Sequence, residues 1–400
     1  MGFHCLIRHV GFERLQFRSD NGVETGEPLG RRYSGVSRQE SFDPNASQMS
    51  LYEFRKSTLK FHWENSLEFY KDIGVNDKWP LEHVAILSNR QVSRAKVWAS
   101  RVTASKHGFT DTVADKIVRY GTKEEQRAAQ KEVDNLKKLC HNHIVAFLGY
   151  YTKGNNLGIL MFPVAAWDLD QFLQFDSSVE KRREMMRPWF GCLTRTILFL
   201  HRRTKPFKHR DIKPANILID RSGAVFLTDF GISKEYQSHQ ATITRGDGRF
   251  TVKYASPRMV DALSAQGMES DVFSLGCVFL EMATVLLGKE LEDMYEYITS
   301  QTGFNDIEYH RDFEKFSMWA LQLESFVQTQ PNPPWKSHLV QQGLPIILRM
   351  VKESCQTEQG VDLEEVCRAL DPISHGCNSC RNKVCKPENI NFDNYSLIVI

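Results

Sequence analysis

Two short stretches hold the residues whose types and spacing could do chemistry. The first reads His209-Arg210-Asp211-Ile212-Lys213-Pro214-Ala215-Asn216-Ile217-Leu218-Ile219. Eighteen residues after Asp211 comes Asp229-Phe230-Gly231, preceded by the strand-like run Ala224-Val225-Phe226-Leu227. Carboxylate and amide oxygens suit a hard divalent cation. An amine suits an anionic oxygen, and a carboxylate accepts a proton from an attacking group. A chance polar loop does not account for both stretches in one chain.

Together the two stretches resemble the catalytic loop and the metal-binding turn of the eukaryotic protein kinase family. The resemblance implies phosphoryl transfer from ATP with Mg²⁺, a reaction that asks for in-line geometry and neutralised phosphate charge rather than covalent work. On the family's pattern Asp211 would orient the attacking hydroxyl and accept its proton. Lys213 would contact the transferring phosphate, in the form the loop takes in serine/threonine kinases. Asn216 would hold one Mg²⁺, and Asp229 the metal that bridges the phosphates.

Upstream, Val113-Ala114-Asp115-Lys116 is similar to the strand that supplies the family's phosphate-binding lysine. Glu132, sixteen residues on in Lys131-Glu132-Val133-Asp134-Asn135-Leu136, is similar to the glutamate of the small-lobe helix. The resemblance implies an ion pair between Lys116 and Glu132 that aims the ammonium at the α and β phosphates. Ile159-Leu160-Met161-Phe162-Pro163-Val164 resembles the strand and hinge that hold adenine, with Met161 as gatekeeper and Asp168 near the ribose. The implied nucleotide contacts are Lys116, Ala114, Met161, Val164, Asp168 and Leu218. Thr251-Val252-Lys253-Tyr254-Ala255-Ser256-Pro257 is similar to the end of an activation segment, with Thr251 bonding near Asp211. Asp271 in Asp271-Val272-Phe273-Ser274-Leu275-Gly276 would bond the backbone of the catalytic loop. Arg210 would hold a phosphate if Ser238, Thr242 or Thr244 were phosphorylated; a segment needing no phosphate is the other reading.

Two departures stand out. The family covers the phosphates with G-x-G-x-x-G-x-V, but Ser88 to Val97 contains no glycine; with Val97 at the valine position the three glycines become Arg90, Val92 and Ala95. Glycine lets backbone N–H groups approach a phosphate, and side chains crowd that approach. Arg90 and Arg94 add charge without restoring it. The second is Arg258 after Ser256-Pro257, where the family carries a glutamate. A charge-reversed bridge to Glu358, near Gln359 and Gly360, is one expectation and two unrelated surface residues the other.

These residues need elements to hold them. Val84 to Leu87 and Val113 to Val118 have the short β-branched character of strands. Ala129, Val133, Leu136 and Leu139 put an apolar stripe on a helix over 122–140, and a second helix is expected over 183–201. Val272 to Gly288, interrupted by Glu281, reads as a buried core helix and is short for a membrane span. The fold expected is α+β, a two-lobed protein kinase-like arrangement with a small strand-rich N-lobe and a larger helical C-lobe. The kinase domain is placed at 81–372, with the lobes meeting at about 161–162. Residues 1–80 form an N-terminal extension whose part 19–50 reads as a polar flexible arm, followed by mixed helical patterning from Leu51 to Tyr70. Residues 373–400 form a cysteine-containing tail.

Composition bounds the rest. Of 400 residues 41% are apolar and 25% charged, enough for a sizeable core and against a wholly disordered chain. The net charge of +2 gives no long-range reason to expect nucleic acid or an anionic membrane as partner. Nine cysteines, mostly scattered, fit a reducing compartment. The first residues lack a signal peptide's apolar stretch, and Leu6 stands where myristoylation needs Ser or Thr after Gly2. An intracellular protein, cytoplasmic or nuclear, is expected. Ser34 and Ser41 each lie in a patch opened by arginine and fit a basophilic kinase site, though an ordinary solvated arm explains them as well. His375, Cys377, Cys380 and Cys385 fit a zinc knuckle, but with only half of such a pattern free thiols are the expectation. Partners expected are protein substrates with Ser or Thr acceptors; a pseudokinase that scaffolds partners is the alternative, and the oligomeric state stays open.

Overall fold

Short β-branched segments separated by turns build the first part of the molecule. Strands β1 (Leu81–Ser88), β2 (Ala95–Val102), β3 (Thr112–Arg119), β4 (Ala146–Lys153) and β5 (Asn156–Phe162) form one antiparallel sheet in the order β1-β2-β3-β5-β4. The computed structural model describes residues 81–88, 95–102, 112–174, 184–221, 223–236, 251–260, 267–303, 306–329, 333–356 and 360–374. The arm and the Leu51 to Tyr70 patterning, Arg90, Val92 and Arg94, the acceptors Ser238, Thr242 and Thr244, and Glu358, Gln359 and His375 to Cys385 lie outside the described residues.

Helix α1 (Lys123–Lys137) follows β3. Thr122 starts it with a capping box: its hydroxyl accepts the Glu125 N–H, and the Glu125 carboxylate accepts the N–H of Thr122. The apolar stripe Ala129, Val133, Leu136 and Leu139 is buried as its spacing requires. The helix nevertheless stops at Lys137, short of residue 140. The amides of Lys138 and Leu139 turn to the carbonyls of Asn135 and Leu136 three residues back, which tightens and closes the last turn.

The second part is helical, with short strands at its upper edge. In chain order it contains β6 (Trp167–Asp168), α2 (Leu169–Leu173), α3 (Arg187–His201), β7 (Phe207–Lys208), β8 (Ile217–Ile219), β9 (Val225–Leu227) and β10 (Lys234–Glu235). The helices α4 (Pro257–Val260), α5 (Glu269–Leu287), α6 (Leu291–Thr302), α7 (Phe313–Gln328), α8 (Pro334–His338), α9 (Leu344–Gln356) and α10 (Leu363–Ser374) complete it. Of the helix expected over 183–201, α3 covers Arg187 to His201, with Pro188 in its first turn where a missing N–H costs no bond, while Arg183 lies outside the described residues. The molecule thus has the two-lobed α+β arrangement, strand-rich then helical.

Helix α5 is the axis of the larger lobe. Every residue from Glu269 to Leu287 is buried, and Gly288 ends the helix in the left-handed conformation at φ 103°. By length and composition α5 could cross a membrane, yet it is wholly enclosed by protein. At Gly276 helix α9 comes so close that a Cβ there would stand 2.9 Å from Met350 Cβ and 3.0 Å from Val351 Cγ2.

Candidate active site

Strand pairing sets the first half of the site. On β3, Ala114 and Lys116 share a face because strand side chains alternate. Across β5, Ala114 lies opposite Met161 and Lys116 opposite Ile159. Val164 follows two residues after β5 and is half-buried. Lower down, Asp168 of β6 pairs with Leu218 of β8. Asp168 also caps α2, its carboxylate accepting the Gln171 N–H at 2.8 Å while the Gln171 side chain accepts the N–H of Asp168. Beside this pairing, the sequence motif carried no sign of that capping duty.

Lys116 joins the halves. Its Nζ lies 2.7 Å from Glu132 Oε1, 2.9 Å from Glu132 Oε2 and 3.2 Å from Asp229 Oδ1. Burial would lower the lysine, but the carboxylates of Asp229 and Glu132 outweigh it and raise its pKa above the ordinary lysine range. Reciprocally, Lys116 holds Asp229 below the usual carboxylate value against the cost of burial.

The catalytic-type loop hangs from α5. The buried Asp271 carboxylate accepts the backbone N–H groups of His209 and Arg210, each at 2.9 Å, and the His201 ring at 3.1 Å. This holds Arg210 at φ 74°, a left-handed conformation that costs a non-glycine residue on the order of 1–3 kcal/mol. With the loop so fixed, Asp211 collects three donors. Thr251 Oγ1 lies 3.0 Å from its Oδ1, Lys213 Nζ 2.6 Å and Asn216 Nδ2 2.9 Å from its Oδ2. Lys213 also donates to Thr251 Oγ1 at 2.7 Å.

The β8–β9 ladder brings in the second aspartate. Ile217 pairs with Leu227, and the Thr228 N–H donates to Asn216 O at 3.0 Å. Asn216 and Asp229 therefore emerge at the same end of an antiparallel pair. His209 Nε2 reaches Thr228 O at 2.9 Å, and its ring meets Phe230 edge-on at 4.7 Å. Asp229 itself sits at φ 65°. Asn216 Nδ2 is committed to Asp211, which turns the amide so that its oxygen is the atom left for a cation. One carboxylate and one amide oxygen form a donor set that fits a hard ion such as Mg²⁺.

Several partners were invisible in the motif. Asn135 of α1 bonds the turn after Asp229, donating to the carbonyls of Phe230 at 2.8 Å and Ser233 at 3.1 Å. Asp115, between Ala114 and Lys116, is fully buried and accepts the Tyr151 hydroxyl at 2.9 Å, with His83 at 3.3 Å. Glu281 in α5 accepts the hydroxyls of Tyr254, Tyr295 and Tyr309 and pairs with Lys253 at 2.9 Å, tying the 251–254 stretch to the core. Arg258 acts electrostatically on Glu269, a buried carboxylate at the start of α5 whose pKa is raised chiefly by burial. Asn135, Asp115 and Glu281 are each a buried polar residue among apolar neighbours in sequence.

The model of the protein kinase domain matches residues 99–356, well over half of the chain. The chain belongs to the protein kinase family. Within that family it is 33% identical over 162 residues to the serine/threonine-protein kinase BCK1/SLK1/SSP31 of Saccharomyces cerevisiae, covering 39% of this chain and 10% of that protein. It is 32% identical over 169 residues to the serine/threonine-protein kinase nekl-2 of Caenorhabditis elegans, covering 40% and 46%. To mitogen-activated protein kinase kinase kinase 1 of Arabidopsis thaliana it is 35% identical over 159 residues, covering 38% and 24%. The matched stretch thus spans less than half the length of each of these relatives.

Proposed function

We propose that this protein transfers the γ-phosphoryl group of ATP to serine or threonine hydroxyls of protein substrates inside the cell. The observation that carries the reading is the dressing of Asp211. A carboxylate offers about four lone-pair directions, and Thr251, Lys213 and Asn216 occupy three of them. Among the described residues no further donor takes the remaining one, which would accept the proton of an incoming alcohol. Thr251 and Lys213 fix the carboxylate plane, so the acceptor is oriented before it reacts.

Asn216 and Asp229 would hold Mg²⁺, which when bound neutralises phosphate charge and polarises the phosphoryl oxygens. Lys213 lies beside Asp211, where an ammonium would meet the transferring group. Lys116, kept charged by Glu132 and Asp229, would steady the other phosphates. Ala114, Met161, Val164 and Leu218 would line the base, with Asp168 toward the sugar. The test is incubation of the full chain with radiolabelled ATP, Mg²⁺ and a generic basic protein, followed by phosphoamino-acid analysis. Label on serine or threonine supports the reading; its absence on every amino acid rejects it.

A second reading, a pseudokinase that binds partners and turns over little ATP, is favoured by one feature, the absence of any glycine from Ser88 to Val97. A thermal-shift titration separates the two: a kinase needs Mg-ATP to raise Tm, whereas a vestigial pocket leaves Tm unchanged.

A further inference from the structure

Asn135 is a polar residue on the buried stripe of α1, 5% exposed, three residues from Glu132. Its amide nitrogen donates to two carbonyls of one turn, Phe230 O and Ser233 O, roughly a hundred residues away in sequence. The Ser233 N–H donates to the same Phe230 O at 3.2 Å, so Asn135 braces a turn already closed on itself. Ser233 continues the chain of bonds, its hydroxyl donating to His209 O at 2.9 Å. A continuous path therefore runs from α1 through the turn and the catalytic-type loop to Asp271 on α5. The turn follows Asp229, whose φ of 65° persists only where the surroundings over-determine it.

We infer that Asn135 is a positioning residue that couples α1 to the turn bearing Asp229, so that Glu132 and Asp229 reach Lys116 as one unit. A hydrophobic side chain at this site would fill the space yet take the Asn135 donor from the buried Ser233 carbonyl and leave the Phe230 carbonyl with the Ser233 N–H. Outward movement of α1 would break both bonds together with the Lys116–Glu132 contact, which makes helix position and turn conformation a single equilibrium. The kinetic part of this inference rests on the phosphotransfer reading; the structural part does not.

The test compares the full chain with Asn135→Leu, similar in volume but without donors, by amide hydrogen exchange and by phosphotransfer at varied Mg²⁺. The expected result is exchange at Ser233 and its neighbours in 228–236 faster by about tenfold, with α5 still protected. The Mg²⁺ needed for half-maximal rate should rise severalfold, a change that a packing role alone would not produce. Unchanged exchange in 228–236 with α5 protected overturns the inference, as does an unchanged Mg²⁺ requirement in an active enzyme. If Asn135→Leu loses protection throughout α5, Asn135→Ser, which is smaller and keeps one donor, is judged by the same criteria. If the unaltered protein transfers no phosphate, the phosphotransfer reading falls and the exchange result alone decides.

Discussion

Lys116 Nζ stands 2.7 Å from Glu132 Oε1, a contact between strand β3 and helix α1. Three charges meet there, because Asp229 approaches the same ammonium at 3.2 Å. Lys116→Met is expected to lower phosphotransfer by about 10²–10³-fold. Glu132→Gln keeps an acceptor but loses the charge and should cost less, on the order of tenfold. Steady-state rates at saturating Mg-ATP, with Tm measured in parallel, check both values.

Asp271 holds the catalytic-type loop through two backbone amides, and its pKa is lowered. Burial pushes the carboxyl up, but the bond and charge of His201 together with His209 and the Arg210 amide outweigh that. A depressed carboxylate stabilises the fold fully above its unfolded pKa of about 3.9 and loses that contribution as pH falls through the lower folded value. Asp271→Ala should therefore cost roughly 3 kcal/mol at pH 7, and the difference from the unaltered chain should shrink below pH 4. Urea unfolding at pH 7 and pH 3 measures it.

Lys208 carries its ammonium into the protein at 1% exposure, 4.6 Å from the centre of the Tyr236 ring. Burial lowers its pKa to about 8, with Asp271 opposing and Arg210 assisting. An unfolded lysine titrates near 10.4, so the charged form costs stability below pH 8, and that cost is relieved between pH 8 and about 10.4. Lys208→Met should stabilise the protein at pH 7 by roughly 2 kcal/mol once the lost ring contact is deducted. The gain should vanish by about pH 10.5 in a pH series of unfolding curves.

Gly276 marks where α5 and α9 touch. Gly276→Val would drive side-chain atoms into Met350 and Val351, with the first contact already at 2.9 Å for a Cβ alone. A loss of about 1–3 kcal/mol is expected, read as a fall in the urea midpoint with the m-value unchanged.

The parts of this fold that could be read in advance are those in which one local rule decides the outcome. The α5 helix was visible because an apolar run interrupted by Glu281 alone belongs in the core, and α1 because Ala129, Val133, Leu136 and Leu139 form a regular stripe. The loop of Asp211, Lys213 and Asn216 was legible because its spacing resembles a known pattern, and the structure brings these residues together around one carboxylate. Strands β6, β7 and β10 have two residues each, too few for any periodicity to show. The helix expected over 183–201 is seen from Arg187 to His201, with Pro188 in the first turn, the position its missing N–H suits. Asn135, Asp115 and Lys208 escaped for a further reason. Asn135 and Asp115 are polar side chains in places that periodicity marks as apolar, Lys208 lies in the two-residue β7, and the partners of all three are assembled from other elements by the fold.

The claim on which the rest depends is that Asp211 serves the acceptor hydroxyl. The most direct measurement is the initial rate of label transfer from ATP to a protein substrate by the unaltered chain and by Asp211→Asn, which keeps shape and loses the proton acceptor. A fall on the order of 10²–10⁴-fold, with Tm and the Mg-ATP-induced shift retained, is the predicted result. Equal rates for the two proteins would contradict it.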